Sequence, residues 1–377
     1  MIVVFVFGAG ASHGEQLVPL FDDPMCQPSN SAAPPLATGF FSKALYDSVG
    51  YTASEAERNF GPMFKHIRES FAIPDAVGEG RWADLNIEEV FTNVEVLREF
   101  LGCDGDAWAK ATVARNDLAH YISRIISYCT QLKRGLYYGK VKSFMDKHGD
   151  VSVLSFNWDL ILDQEFMERI GLGWGTSAGP YKNFETIVLG REAELTGGVG
   201  RWPLYLKLHG SLNWLQCTNR ACPSAPGMTV FADTRLCLVH AMAFPGSGTV
   251  VCNQCGAEMN LLLVPPILKK PVIEKGVIRA IWGQARYRLE LASKVVIIGF
   301  SATPSDFYAA WLLRSTVGAK PVHPVEIFVV NPMNSPDHPE HESFRKRMAS
   351  IFPRGYNSDF QWFSQIDSIL ERVARSP

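Results

Sequence analysis

The chain has 377 residues, of which 47% are apolar and 20% are charged, and its formal net charge is −2 at pH 7. This composition predicts a globular protein with a sizeable core, in one large domain or two, and the near-neutral charge argues against direct nucleic-acid binding. No apolar run is long enough to span a membrane and no export signal precedes the first one, so we expect a cytoplasmic protein.

The first predicted strand ends in a turn of small residues. Ile2 to Phe7 are all β-branched or aromatic, and Gly8-Ala9-Gly10-Ala11-Ser12 follows directly. An apolar run without polar alternation is typical of a parallel strand covered on both faces. Gly8 and Gly10 would let backbone N–H groups approach a phosphate, and Ser12 would add a hydroxyl donor. A plain tight turn is the alternative, because the fingerprint G-x-G-x-x-G needs a third glycine where His13 stands.

Helical patterns dominate the next part of the chain. Residues 17–37 are rich in Pro, Ser and Asn, which predicts a loop that is a candidate to cover a cofactor. The clearest helix begins behind Asn86, a predicted N-cap, and repeats apolar residues at three- and four-residue steps from Ile87 to Leu101. Other helices are predicted at Gly39–Val49, Phe60–Phe71, Val113–Leu132 and Tyr137–Lys147.

Polar residues directly follow each later strand. The pairs are Val151–Ser155 with Asn157 and Asp159, Pro203–Leu208 with His209, Lys294–Ile298 with Gly299 and Ser301, and Pro324–Val330 with Asn331. Ligands of open α/β sheets bind outside the carboxyl ends of the strands, so we expect these groups to converge on one crevice. Structural alternatives stay open: Asn157 and Asp159 as helix caps, His209 as a core histidine, and Gly299 with Ser301 as turn residues.

Helices complete the C-terminal part of the chain. They are predicted over about 274–293, behind Thr303 as N-cap with Pro304 in the first position, near 340–350 and over 364–375.

Four of the eight cysteines form two close pairs. Cys217 and Cys222 make a C-x4-C pair, and Cys252 and Cys255 make a C-x2-C pair. Four thiolates so arranged are what a closed tetrahedral zinc site requires, so we predict a structural Zn²⁺. A disulfide framework is not expected in a cytosolic chain. The remaining cysteines are interpreted as small buried residues at Cys26, Cys103 and Cys129, and as a spare thiol at Cys237.

The order of these motifs resembles the sirtuins. GAGAS, SFNWD, KLHGS, the two cysteine pairs, GFS and VVNP occur in that sequence. The resemblance implies an α/β fold with a Rossmann-like parallel sheet, an inserted helical module and a small four-cysteine zinc module. It divides a single sirtuin-like domain, 1–377, into an NAD-binding core (1–39, 150–213 and 261–335), a helical insertion (40–149), a zinc module (214–260) and a C-terminal helical extension (336–377).

The resemblance also implies residue roles, with NAD as the substrate to be cut. Gly8, Ala9, Gly10 and Ser12 would hold its phosphates, and Gly299, Ser301 and Asn331 its adenosine end. Asn157, Asp159 and His209 would lie near the nicotinamide ribose. His209, which titrates near neutrality, can act there as a general base, and Asn157 can orient ribose hydroxyls or water.

Two departures separate the chain from lysine deacylases. Phe156 stands where they carry Gln, and Leu262 to Ile267 replaces a Phe-Gly-Glu segment that pairs with the peptide substrate. Pro265 and Pro266 remove backbone donors for such pairing. The expected activity is therefore hydrolysis of NAD⁺ to ADP-ribose and nicotinamide. A protein lysine deacylase, and an NAD or ADP-ribose sensor without turnover, remain the alternatives.

Within the family the chain looks more like bacterial sirtuin-like proteins of antiviral defence. Ile87-Glu88-Glu89, LKLHGSLNWL and VPPILKK have close counterparts there. This resemblance implies a triggered effector that depletes NAD. It also implies a homo-oligomer and a separate activating partner, a HerA-type ATPase or an Argonaute-type protein.

Overall fold

The structure is a computed structural model that describes residues 2–19, 32–101, 105–130, 133–148, 150–167, 204–219, 221–222, 228–230, 251–252, 254–265, 276–319 and 324–375. Several sequence-based predictions fall outside these residues. They concern Cys26, Cys103, Cys237, Pro266, Ile267 and most of the predicted loop at 17–37.

The described strands and helices alternate along the chain. The strands are β1 Val3–Phe7, β2 Leu17–Pro19, β3 Lys133–Gly135, β4 Val151–Ser155, β5 Leu204–Lys207, β6 Gly210–Cys217, β7 Met228–Val230, β8 Met259–Leu263, β9 Lys294–Ile298 and β10 Glu326–Val330. The helices are α1 Ala9–His13, α2 Lys43–Val49, α3 Ala53–Asn59, α4 Gly61–Phe71, α5 Ile87–Leu101, α6 Asp106–Thr130, α7 Leu136–Lys147, α8 Ile161–Met167, α9 Gly276–Leu291, α10 Phe307–Leu313, α11 His341–Ile351 and α12 Ile366–Arg375.

Five parallel strands form the main sheet, in the order β10-β9-β1-β4-β5. β1 lies at its centre, where Val3 pairs with Val151 on one side and with Lys294 on the other. The chain winds outward through β4 and β5 and then places β9 and β10 on the opposite side of β1, so the strand order reverses between β1 and β9. All of β1 is buried, as its continuous apolar run predicts. The predicted Rossmann-like parallel sheet is confirmed.

The chain divides into two compact units. One comprises Met1–Val18, Arg134–Gly210 and Leu268–Pro377 and contains the five-stranded sheet. The other comprises Pro19–Lys133 and Ser211–Ile267. It contains helices α2 to α6 and a sheet in which β6 lies between β7 and β8.

The helices of the second unit follow local sequence signals. Asn86 caps α5 as predicted, because its Oδ1 accepts a hydrogen bond from the Glu88 amide at 2.7 Å. The short helix α3 was missed by the apolar pattern, yet it carries a capping box in which Thr52 and Glu55 bond to each other's backbone amides. α6 begins at Asp106 rather than at the predicted Val113.

One predicted helix start is wrong in detail. Thr303 does precede a helical segment with Pro304 in its first position, but that segment is the 3₁₀ turn Pro304–Asp306. The Thr303 side chain makes no capping hydrogen bond, and α10 begins only at Phe307. None of the described helices combines the length and apolar character that crossing a bilayer demands.

A buried ion pair joins β5 to α8. The Lys207 Nζ donates to Asp163 Oδ2 at 3.0 Å and to the main-chain carbonyl of Asp159. Both side chains of the pair have no exposed surface. The Tyr205 hydroxyl also donates to Asp163 Oδ2, at 2.8 Å. The segment between β4 and α8 is thereby tied to the neighbouring strand.

We expect Lys207→Met to destabilise the fold by about 3–5 kcal/mol, because it leaves the Asp163 carboxylate buried without its cation. Urea unfolding followed by circular dichroism measures the loss. The control is Lys43→Met, which breaks an ion pair with Asp47 whose side chains are 67% and 64% exposed. That change should cost less than about 1 kcal/mol. Equal losses in the two variants would contradict the assigned role of Lys207.

Candidate functional site

The turn after β1 packs directly on the backbone that follows β9. The Gly8 amide donates to the Ile298 carbonyl and the Gly10 amide to the Gly299 carbonyl, each at 2.9 Å. A Cβ at Gly8 would lie 2.6 Å from the Gly299 oxygen. One at Gly299, where φ is +67°, would lie 2.0 Å from the Ala11 nitrogen. Glycine is therefore required here by the approach of two backbone segments.

This contact gives the small-residue turn a role inside the protein that its sequence pattern did not reveal. The amides of Gly8 and Gly10, expected to face a ligand, are engaged with β9. Ala9 lies between them and is exposed. The cofactor-binding roles of these three residues stay predictions.

Ser12 and Asn157, which belong to two separate motifs, meet in the core of the site. Both residues are buried, and the Asn157 Nδ2 donates to Ser12 Oγ at 2.9 Å. A third side chain that was not predicted joins them, because the Tyr138 hydroxyl of α7 lies 3.0 Å from the same Ser12 oxygen. The Asn157 Oδ1 is also buried, and it has no hydrogen-bond partner among the residues that the structure describes.

Asp159 has two local roles. Its Oδ1 accepts a hydrogen bond from the Ile161 amide at 3.1 Å, so the helix-capping alternative is correct for this residue. It is also close enough to the Ser12 hydroxyl for the two to interact electrostatically. Burial raises the pKa of Asp159, while the nearby Lys207 cation and the Ser12 hydroxyl act in the opposite direction.

His209 is buried at the end of β5 beside a carboxylate. Its Nε2 lies 3.5 Å from Asp306 Oδ1, and both side chains are at least nine-tenths buried. A carboxylate at this place favours a proton on Nε2 and stabilises the imidazolium. The ring lies 5.0 Å from the ring of Phe156, and the indoles of Trp158 and Trp282 donate to the carbonyls at 209 and 208. The histidine is thus held by its backbone and by its neighbours.

Asp306 was missed because its sequence context indicates only the start of a helix. A usable signal was present, however. Asp306 follows β9, the strand across the point where the strand order reverses, and an acidic residue there lies at the same sheet edge as His209.

Asn331 and Gly299 shape the loop after β9. The Asn331 Nδ2 donates to the Phe300 carbonyl at 3.2 Å, and its Oδ1 accepts from the Met333 amide at 3.0 Å. Gly299 donates to the Val330 carbonyl, and the Ser301 carbonyl accepts from Arg347 Nε at 3.1 Å. Gly299 has a left-handed backbone conformation, which agrees with the alternative that it is an ordinary turn residue. Binding of adenosine by Gly299, Ser301 and Asn331 stays a prediction.

The four paired cysteines form one cluster in the second unit, as predicted. Their sulfur atoms all lie within 4.8 Å of one another, with 3.5 Å between Cys217 and Cys255 and 3.7 Å between Cys222 and Cys252. A disulfide would need about 2.05 Å, whereas tetrahedral Zn²⁺ with bonds of about 2.3 Å sets sulfurs roughly 3.8 Å apart. The donor set therefore fits zinc.

Backbone hydrogen bonds favour the thiolate form of one cysteine in this cluster. The amides at 254 and 255 lower the pKa of Cys252 to about 7, which favours the thiolate that a metal needs. The loop carrying Cys252 is closed by its amide bonding to the Ala257 carbonyl at 2.8 Å.

Comparisons with known proteins return only structural likenesses. No protein-family model and no curated protein matches the chain. A Sir2 homologue in complex with NAD is 14% identical, with a TM-score of 0.40, and the similarity covers 82% of this chain and 86% of that one. Sir2 in complex with the inhibitor EX-527, 2'-O-acetyl-ADP-ribose and a deacetylated p53 peptide is 11% identical, with a TM-score of 0.39, covering 100% and 95%.

We expect the purified protein to contain about one zinc ion per chain and Cys252→Ser to contain almost none, because three thiolates do not close a structural site. Metal content by mass spectrometry and thermal unfolding provide the measurement, and the variant should melt several degrees lower. Cys129→Ala is the matched control, since Cys129 is buried in α6 and lies outside the cluster. Loss of zinc from the control, or full zinc in Cys252→Ser, would contradict the site.

Proposed function

We propose that the chain is an NAD⁺ glycohydrolase that cleaves NAD⁺ to ADP-ribose and nicotinamide. The observation that carries this proposal is the buried, unpaired carbonyl oxygen of Asn157 at the carboxyl edge of the sheet. Buried polar atoms are almost always hydrogen-bonded, so an acceptor left without a partner among the described residues indicates a ligand. The point where the strand order reverses, beside β1, is where open α/β sheets bind nucleotides.

The chemistry of the reaction suits these side chains. Attack of water on the ribose carbon breaks the bond to nicotinamide, which leaves as a neutral molecule with the bonding electrons. The transition state carries positive charge on the sugar, so the site has to orient water and ribose hydroxyls rather than supply a strong nucleophile. Asn157 Oδ1 would accept a hydrogen bond from one of them.

His209 would take the proton that the attacking water or a ribose hydroxyl releases. A general base of this kind contributes about 10²- to 10⁴-fold to the rate. The Asp306 carboxylate, 3.5 Å from Nε2, would stabilise the imidazolium that results. The aromatic rings of Phe156 and Trp282 around the histidine would limit the entry of bulk water.

In the proposed biological role, the enzyme is a bacterial antiviral effector that depletes NAD when it is triggered. The support is the motif resemblance to sirtuin-like defence proteins. An enzyme that destroys a central metabolite has to be held inactive until it is needed. In this proposal, assembly into a homo-oligomer and a separate HerA-type ATPase or Argonaute-type protein supply that control.

The second candidate is an NAD-dependent lysine deacylase. One observation favours it: β8 lies at the edge of the order β7-β6-β8 among the described strands, and an edge strand can pair with an extended peptide. Pro265, two residues after β8, lacks the amide that would continue such pairing.

Incubation of the protein with NAD⁺ should release nicotinamide and ADP-ribose without any acylated peptide. The assay is run with the protein alone and with the proposed activating partner added, in each case with and without an acetylated peptide. Nicotinamide release that requires the acetylated peptide would identify the protein as a deacylase rather than a hydrolase. Binding of NAD or ADP-ribose with no nicotinamide release under any condition would contradict both enzyme hypotheses and favour a sensor without turnover.

We expect His209→Ala and Asn157→Ala each to lower the rate of nicotinamide release by about 10²- to 10⁴-fold, because each removes a group assigned to the reacting atoms. Circular dichroism should show an unchanged fold. His338→Ala replaces a half-buried histidine that precedes α11, outside the candidate site, and should keep full activity. Full activity in both site variants would refute the site.

A further inference from the structure

Ser12 lies at the centre of a cluster of four buried side chains. Its Oγ is 2.9 Å from Asn157 Nδ2 and 3.0 Å from the Tyr138 hydroxyl, and its hydroxyl acts to lower the pKa of the nearby Asp159 carboxyl. The four residues come from α1, α7 and the segment after β4, so three separate elements meet at one hydroxyl.

The contacts of this cluster converge on the Asn157 amide nitrogen. It donates to Ser12 Oγ at 2.9 Å and lies 3.4 Å from the Tyr138 hydroxyl. The two hydroxyl oxygens are themselves 3.0 Å apart, so Tyr138 and Ser12 hold each other in place.

These two hydroxyls set which way the Asn157 amide faces, because its nitrogen lies against both of them. The carbonyl oxygen therefore points the other way, where it is buried and has no partner among the described residues.

Tyr138 itself is held by rigid surroundings. Its ring is buried and packs edge to face on Phe7, at 5.0 Å between centroids, and on Phe363, at 5.3 Å. The Glu15 carboxylate accepts the backbone amides of Tyr137 and Tyr138 at 2.7 and 3.0 Å, which anchors the first turn of α7. The Tyr138 hydroxyl is thus held beside Ser12 by a helix rather than by a loop.

We propose that Tyr138 is a positioning residue that acts through Ser12 to keep the Asn157 carbonyl oxygen facing the substrate. The inference deepens the proposed NAD⁺ hydrolysis and rests on it for its catalytic consequence.

Tyr138→Phe removes the hydroxyl and leaves the ring in place. We expect kcat for nicotinamide release to fall about 10- to 100-fold while KM for NAD⁺ changes less than about threefold. The reason is that the Asn157 side chain stays in place but its carbonyl oxygen is no longer held in the orientation that the reaction needs. Tyr137→Phe is the matched control, because its hydroxyl makes only an exposed contact with Gln16. A proportional rise in KM with no change in kcat would overturn the positioning role.

A second readout does not depend on activity. With ¹⁵N-labelled asparagine, the side-chain amide of Asn157 is identified by its absence in Asn157→Ala, and its hydrogen exchange is followed by NMR. We expect exchange at least about tenfold faster in Tyr138→Phe than in the wild type and Tyr137→Phe. Unchanged exchange in Tyr138→Phe would refute the inference. Faster exchange in a protein that does not hydrolyse NAD⁺ would uphold it and refute the proposed function instead.

If Tyr138→Phe does not fold, Ser12→Ala tests the same cluster, because it removes the atom through which Tyr138 acts. Faster Asn157 exchange in this variant is the expected result, and unchanged exchange contradicts the assigned network.

Discussion

The approach of two backbone segments at the centre of the main sheet is the constraint on which the site depends. β1 and β9 run in register, so that Phe7 pairs with Ile298, and the first residues beyond each strand have to meet. They meet without side chains: a Cβ at Gly10 would lie 2.9 Å from the Gly299 oxygen. The turn that leads to Ser12 and the loop that leads to Asp306 diverge from this contact. Both sides of the candidate crevice are therefore set by one glycine-only interface.

Around this interface the protein buries several polar groups. The Lys207 Nζ donates to the Asp159 carbonyl and to the Asp163 carboxylate, and the Asn157 amide donates to Ser12. Such a layer is stable only when its donors and acceptors are paired, because an unpaired buried group retains its full desolvation penalty. One acceptor of Asn157 is the exception within this cluster.

The sequence was sufficient for the strands of the main sheet and for which of their ends carry polar groups, but not for short elements such as α3. Apolar runs predicted β1, β4, β9 and β10, and the two cysteine pairs predicted the metal cluster, since both signals are local. The partners of the site residues were not accessible in this way. Tyr138 bonds to a residue 126 positions away and fits an ordinary buried helix position. The glycines were ambiguous for another reason: a turn that approaches a phosphate and a turn that approaches another backbone both exclude a Cβ.

The central position of β1 in the sheet has a consequence for folding during synthesis. The chain leaves the ribosome at about 5–20 residues per second, and β1 is joined on its second side by a strand 291 residues later, which takes roughly 15–60 s. Until then the β1 edge is open to wrong partners and the glycine interface does not exist. A nascent or truncated chain thus carries Asn157 and His209 without the carboxylate of Asp306 or the opposite wall. The order of synthesis alone delays assembly of the candidate site until β9 and the loop after it have been made.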